Sequence, residues 1–183
     1  DAAGKSIEYT YDLDTLVQTV TDQLGNLTTI TLNSTGDTVR EVGPDGRITN
    51  RAFDGDHRLL SETLVVGLED SVENGETNDL TTSSTYDASG NQLMATDKYG
   101  NVTRMGYNAH NQPMSQTDAF GNTTRIGYDQ RGLPTSLRDA NGNVTRLKFD
   151  VRGNPTEIRD NNDNRLVANA YNQYGEVLTS TSV

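Results

Sequence analysis

The sequence has no cysteine and no tryptophan, and it is poor in apolar residues, which make up 32% of the 183 positions. Without cysteine the chain has no disulfide, no thiolate zinc site and no cysteine nucleophile. With so few apolar residues, any core is expected to be thin and spread out. No apolar run approaches the roughly 18 residues of a membrane span.

Basic residues are also scarce, with 15 Lys and Arg against 26 Asp and Glu, which gives a formal charge of −11. Binding to phosphate backbones or anionic membranes needs a concentrated positive patch. The charge balance therefore argues against nucleic acid and membranes as default partners. The sequence also begins at Asp1 without a methionine or a signal peptide, which is typical of a processed product or an excerpt.

A repeat of 21 residues organises most of the sequence. Tyr86-Asp87, Tyr107-Asn108, Tyr128-Asp129 and Phe149-Asp150 follow one another at this spacing, as do Pro113, Pro134 and Pro155. Threonine and arginine keep the same step, at Thr103, Thr124 and Thr145 and at Arg104, Arg125 and Arg146. The repeat predicts one array over 1–183, with an acidic insertion at 68–79 and units that start near residues 11, 32, 53, 86, 107, 128, 149 and 171.

Each unit contains two turn signals about half a period apart, such as Asp129-Gln130-Arg131-Gly132 and Asp118-Ala119-Phe120-Gly121. Asp at the first turn position accepts a backbone hydrogen bond from two residues on, and Gly at the fourth supplies a positive φ. The predicted structural turn residues are Gly25, Gly46, Gly90, Gly100, Gly121, Gly132, Gly142, Gly153, Gly175, Asp97, Asp118 and Asp139.

Between the turns lie six or seven residues, the length of a short strand, and no stretch has a sustained helical period. The predicted fold is all-β, an array of antiparallel β-hairpins in a curved or spiralling strip that is part of a shell or fibre. The aromatic positions are expected to form a stacked structural ladder, with a sugar-binding platform as the alternative. Its members are Tyr11, Phe53, Tyr86, Tyr107, Tyr128, Phe149 and Tyr171. The threonine and arginine rows are expected to form polar ladders on neighbouring strands.

The repeat resembles the YD repeat, also called the RHS repeat. The best instance is Tyr86-Asp87-Ala88-Ser89-Gly90 with Asp97-Lys98-Tyr99-Gly100-Asn101-Val102-Thr103, and the resemblance covers roughly residues 11 to 180. It implies a hairpin strip that spirals into a large shell, as in RHS polymorphic toxins, toxin-complex C components, wall-associated proteins and teneurins. The partners it implies are further repeats of the same or neighbouring chains, an enclosed C-terminal domain, or a cell-surface glycan or protein. The sequence contains no Asp-Pro, which the self-cleavage motif of the toxin members includes.

Sites for chemistry have little support in the sequence. His57 and His110 lie on turns of different units without a surrounding motif, so catalysis and zinc binding are not expected. No catalytic, cofactor-binding or metal residue is assigned. Weak calcium candidates are Asp12-Leu13-Asp14, Asp54-Gly55-Asp56 and Asp160-Asn161-Asn162-Asp163-Asn164, but the last has Arg165 and Tyr171 where a calcium loop needs Gly and Glu. The insertion 68–79 is interpreted as a solvated loop or, alternatively, as a partner or cation contact.

The favoured function is therefore a non-catalytic scaffold segment of a secreted or cell-surface protein, which encloses or presents another domain. The alternative is an adhesion module that binds carbohydrate or a cell-surface protein. Neither Ile7–Tyr11 nor Val177–Val183 carries a blocking proline or charge cluster. These terminal strands predict either an excerpt of a longer array or end-to-end assembly.

Overall fold

The computed structural model describes residues 6–65 and 79–182. These residues form sixteen β-strands and no helix, hydrogen-bonded in chain order into an antiparallel sheet. The predicted all-β hairpin fold is confirmed. The strands are β1 (Glu8–Asp12), β2 (Val17–Thr21), β3 (Leu27–Leu32), β4 (Thr38–Val42), β5 (Ile48–Phe53), β6 (Leu59–Val65), β7 (Leu80–Tyr86), β8 (Gln92–Thr96), β9 (Val102–Tyr107), β10 (Pro113–Thr117), β11 (Thr123–Tyr128), β12 (Pro134–Arg138), β13 (Val144–Phe149), β14 (Pro155–Arg159), β15 (Arg165–Tyr171) and β16 (Val177–Ser182).

The chain divides into two compact units. The first comprises Asp1–Thr85 and Ala95–Asn101, and the second comprises Tyr86–Met94 and Val102–Val183. Of the predicted insertion 68–79, all but Asp79 lies outside the described residues. No helix in the described part of the chain is long and apolar enough to cross a membrane.

Thirteen turns in the described residues share one backbone pattern. In the turn 118–122, the backbone amide of Gly121 donates to the carbonyl oxygen of Asp118 at 3.1 Å. The backbone amide of Asp118 donates to the carbonyl oxygen of Asn122 at 3.0 Å. The fourth residue has a positive φ, +85° at Gly121, as a type I turn closed by a bulge requires. All nine glycines that the sequence assigns to turns have a positive φ, between 79° and 91°.

Three of these turns keep the same geometry without glycine at the fourth position. His57, Asn111 and Asp163 take its place, with φ of 62°, 59° and 66°. Asn, Asp and His adopt this left-handed conformation more readily than other residues with a side chain. The loss of glycine therefore leaves the hairpin geometry intact.

The repeated proline is the first residue of three alternate strands of the second unit. Pro113, Pro134 and Pro155 start β10, β12 and β14, where Pro134 lies opposite Tyr128 and Pro155 lies opposite Phe149. Proline has no amide hydrogen, so the first position of a strand is where a sheet tolerates it. The register shifts at each of these two pairs, so the ladder aromatic stands beside a bulge.

The sheet is a single layer, and none of its described side chains is buried. Cross-strand partners share a face, so the second unit has an aliphatic face that includes the pairs Ile126–Leu137 and Leu147–Ile158. These four side chains are at best half-buried, and Leu137 is 46% exposed. The thin, spread-out core expected from composition is present as one apolar face.

Candidate functional site

The turn aspartates use both carboxylate oxygens within their own turns. In the turn 118–122, one oxygen of Asp118 accepts the backbone amides of Phe120 and Asn122, both at 2.9 Å. The other oxygen accepts the side-chain amide of Asn122, also at 2.9 Å. The sequence predicts one hydrogen bond for this carboxylate, and the structure corrects this to three. The asparagine at the fifth position is visible in the repeat, but sequence reasoning gave it no role.

These hydrogen bonds favour the charged form of the carboxylates. The side-chain amide of Asn122 is the largest cause that lowers the pKa of Asp118 from its ordinary value of 3.8. An asparagine amide is likewise the largest cause of a lowered pKa at Asp22, Asp97, Asp139, Asp150 and Asp160. These carboxylates serve the turns and are not poised for proton transfer near neutral pH.

Consecutive turns along one edge of the sheet also contact one another, and sequence reasoning missed these contacts. The fifth residue of one turn reaches the fourth residue of the next turn on that edge. The side-chain amide of Gln112 donates to the carbonyl oxygen of Gly132 at 2.9 Å, and that of Asn91 donates to the side-chain oxygen of Asn111 at 2.8 Å. In the first unit, Nδ1 of His57 lies 2.7 Å from Oδ1 of Asp37. The second histidine, His110, lies in the turn 108–112 and lines a shallow groove of about 400 Å³ that includes Gln112.

Three tyrosines of the predicted ladder donate their hydroxyl groups to the backbone of the preceding hairpin. The hydroxyl of Tyr128 donates to the carbonyl oxygen of Pro113 at 2.8 Å, and that of Tyr171 donates to Pro155 at 2.9 Å. Tyr107 makes the equivalent bond, at 3.1 Å, to Gln92 at the start of β8. Three of the hydroxyls that a sugar platform would offer are therefore already hydrogen-bonded to backbone carbonyl oxygens of the sheet.

A repeat of 21 residues spans two strands, and this corrects the predicted ladders. Tyr107, Tyr128 and Phe149 end β9, β11 and β13, so successive rings are separated by two strand spacings, about 9.6 Å. They do not form a continuous ring-on-ring stack. The repeated threonines and arginines lie on the same alternate strands and are not paired with one another: Thr124 lies opposite Gln116 on β10, and Arg125 lies between Ser115 on β10 and Arg138 on β12.

We expect Phe149→Tyr to stabilise the chain, because Phe149 lacks the hydroxyl that its neighbours use. The new hydroxyl is expected to reach the carbonyl oxygen of Pro134, the first residue of the preceding β12. One such hydrogen bond is worth about 0.5–1.5 kcal/mol. Tyr128→Phe is the matched control and is expected to cost a similar amount. Urea unfolding of both variants measures the two changes, and a destabilised Phe149→Tyr protein would contradict this role of the ladder.

Charged side chains also link neighbouring strands of the described sheet. Arg51 on β5 donates to Glu41 on β4 at 3.1 Å and to Glu62 on β6 at 2.7 Å. Glu157 on β14 contacts Arg159 and Lys148, and hydrogen bonds first from Arg159 and then from Lys148 lower its pKa to about 2. Both networks link neighbouring strands, as cross-strand ion pairs in sheets do.

The weak calcium candidates use their aspartates in the same way as the other turns. One oxygen of Asp160 accepts the backbone amides of Asn162 and Asn164, and the other accepts the side chain of Asn164. A carboxylate oxygen of Asp54 accepts the backbone amides of Asp56 and Arg58. A carboxylate oxygen of Asp12 accepts the backbone amides of Asp14 and Thr15. In the described residues no group of three or more His, Cys, Asp or Glu side chains is placed to hold a metal ion.

Part of the chain matches a known repeat family. The family model of the RHS Repeat matches residues 107–144 and 128–165. This match confirms the resemblance drawn from the Tyr-Asp and Asp-x-x-Gly spacing. No curated protein matches the chain in sequence.

Solved structures with the same fold include TcdB2-TccC3. Its crystal structure matches with a TM-score of 0.59 and 17% identity, over 91% of this chain and 10% of that chain. TcdB2-TccC3 without its hypervariable C-terminal region matches with a TM-score of 0.62 and 15% identity, over 96% of this chain and 10% of that chain. This chain thus spans about a tenth of the length of these proteins, and at such identities the likeness shows the fold.

Proposed function

We propose that this chain is a non-catalytic wall segment of a secreted or cell-surface protein, in which RHS repeats enclose or present another domain. The observation that carries the proposal is the single-layer sheet with one aliphatic face. Ile126, Leu147 and Ile158 lie on that face, and no described side chain is buried. An apolar face of this kind gains free energy when it is covered, at about 25 cal/mol per Å² of apolar surface.

The chemistry of the turns and ladders supports a structural role. The turn carboxylates and the ladder hydroxyls hold neighbouring strands and turns together through bonds such as Asp118–Asn122 and Tyr128–Pro113. A hairpin in such an array buries little surface by itself and depends on its neighbours for stability. The same geometry recurs from turn to turn, as a structural wall built from repeats requires. An enzyme instead requires an acid, a base and a nucleophile that converge on one point.

The comparisons support the proposal at the level of fold and repeat. The RHS resemblance implies a shell, and the fold matches that of TcdB2-TccC3. The match covers a tenth of those chains and concerns the fold. Enclosure of a second domain and export from the cell therefore belong to this proposal. The adhesion alternative has less support, since the hydroxyls of Tyr107, Tyr128 and Tyr171 are bonded to backbone.

The proposal is tested by limited proteolysis of the polypeptide in its natural reading frame, with fragments identified by mass spectrometry. We expect the repeats to resist cleavage and to protect a domain outside them, which becomes susceptible when Ile126→Asp is introduced on the aliphatic face. Arg125→Asp, one position away on the opposite face, is the matched control and is expected to leave protection unchanged. Cleavage of every segment outside the repeats at the rate of the denatured polypeptide would contradict enclosure. A glycan-array signal that Tyr128→Ala abolishes in a folded protein would favour adhesion instead.

A further inference from the structure

The strands of the second unit carry almost no negative charge on a chain whose net charge is −11. From β9 to β15 they contain seven basic residues and one acidic residue, Glu157. Every other acidic residue between the start of β9 and the end of β15 lies in a turn. The seven basic residues are Arg104, Arg125, Arg138, Arg146, Lys148, Arg159 and Arg165.

The strand register places these basic residues together. Arg125 lies opposite Arg138, and Arg146 lies opposite Arg159, which in turn lies opposite Arg165. Cross-strand partners share a face, and so do residues two apart on a regular stretch of strand. The register shift between Ile158 and Arg159 brings Arg165 opposite Arg159. The seven residues therefore form a basic face, opposite the aliphatic face that carries Ile126 and Leu147.

Most of the basic face has no counter-charge. Arg159 and Lys148 contact Glu157, and Arg159 also contacts Asp163. The five other arginines are exposed, and none of them forms an ion pair with a described residue: Arg104, Arg125, Arg138, Arg146 and Arg165. Like charges directly opposite one another on a sheet are destabilising. An acidic ligand that lies across the arginines removes this cost.

We propose that the basic face binds an acidic polypeptide segment in extended conformation. The geometry favours a peptide over a nucleic acid because the face is narrow and has acidic borders. Strands of five to seven residues are about 17–23 Å long, and their ends carry turn aspartates such as Asp118 and Asp139 on one edge and Asp129 and Asp150 on the other. A duplex, whose major groove alone is about 12 Å wide, brings phosphates against both borders. A single extended peptide lies between them.

The length of the face sets the length of the ligand. From β9 to β15 there are six strand spacings of about 4.8 Å, or about 29 Å along the sheet. An extended peptide rises about 3.3 Å per residue, so about nine residues span the face. An arginine side chain binds a carboxylate with two parallel hydrogen bonds, which suits it to a row of Glu or Asp. This inference concerns an exposed face and does not depend on enclosure of another domain.

The test measures fluorescence anisotropy of a fluorescein-labelled peptide of ten glutamates, added to the 183-residue chain at low ionic strength. We expect saturable binding that weakens as salt is added, and much weaker binding of a four-glutamate peptide. Arg125→Glu combined with Arg146→Glu is expected to weaken binding by roughly ten-fold or more. Arg152→Glu is the matched control, since Arg152 is exposed in a turn of the same unit, and it is expected to change binding less than about two-fold.

Folding is monitored by circular dichroism in the same samples. Arg125→Glu places opposite charges across β11 and β12, so its melting temperature is not expected to fall. If the double Glu variant fails to fold, Arg125→Gln and Arg146→Gln decide the question by the same comparison with Arg152→Gln. Three results overturn the proposal: no binding of the ten-glutamate peptide, equal weakening by the face and control variants, or tighter binding of a ten-nucleotide oligothymidylate than of the peptide.

Discussion

Gly121→Val is expected to destabilise the chain by about 1–3 kcal/mol, because a β-branched residue is strained at a positive φ. Gly121 has a φ of +85°, and a Cβ built on it meets nothing within 4 Å. The cost is therefore a property of the backbone conformation and not of a clash. If the melting temperature of this variant were unchanged, the turn geometry at 118–122 would be wrong.

Gly55→Val is the matched control for this prediction. Gly55 also lies in a turn, and its added Cβ likewise meets nothing within 4 Å, but its φ lies outside the left-handed region. The same side chain is therefore expected to cost less than about 0.5 kcal/mol at this position. Urea unfolding of the two variants side by side isolates the contribution of the positive φ.

Acid is expected to unfold the array cooperatively, with stability steady near neutral pH and lost below about pH 4. Ten turn or turn-adjacent aspartates have a pKa below the ordinary 3.8: Asp12, Asp22, Asp37, Asp54, Asp97, Asp118, Asp129, Asp139, Asp150 and Asp160. A carboxyl with a lowered folded-state pKa stabilises the fold above its unfolded pKa, and this contribution is lost as the pH falls through the folded-state value. Glu157, with a pKa of about 2, acts in the same direction.

The control for the acid prediction replaces Asp97, Asp118 and Asp139 by asparagine. Asn108 already occupies the first position of a turn, and its side-chain oxygen accepts the backbone amides of His110 and Gln112. The triple variant is therefore expected to keep its turns but to depend less on pH between neutral pH and about pH 2. Urea unfolding across this range measures the difference, and identical acid transitions in both proteins would show that the turn carboxylates do not govern acid stability.

The fold could be predicted from the sequence because its information is local and repeated. Asp118 and Gly121 mark a turn by their chemistry alone, and the same marks recur along the chain at half-period spacing. Six or seven residues between turns leave room for a strand and not for a helix of ordinary length. The hairpin order follows, since consecutive short strands joined by tight turns pair with one another.

The contacts between hairpins could not be predicted in the same way, because they depend on register. The bond from Gln112 to Gly132 and that from Tyr128 to Pro113 join residues that are 20 and 15 positions apart. Bulges beside the ladder residues shift the register by one, and a one-residue shift changes which side chains share a face. For the same reason the basic face emerges only from the pairing of strands such as β11 with β12.

His57 shows where a local rule is relaxed by its surroundings. By sequence it replaces a turn glycine, yet it holds a φ of +62° in the same turn geometry. Its ring contacts Asp37, the fifth residue of the preceding turn on that edge. This contact offsets part of the backbone cost, and it belongs to the same series of turn-to-turn contacts as Asn91 with Asn111.

The central claim is that the chain is an array of equivalent hairpin units, and deletion of one whole unit tests it most directly. Removing residues 108–128 joins Tyr107 to Asp129 and restores the Tyr-Asp step of the repeat. Because each hairpin interacts with its nearest neighbours, the shortened chain is expected to keep its β-sheet circular dichroism and a cooperative, modestly lowered melting transition. Deletion of residues 108–118, about half a period, is expected to unfold the sheet around the junction. Loss of folding in the whole-unit deletion, or equal stability of the two deletions, would contradict the account.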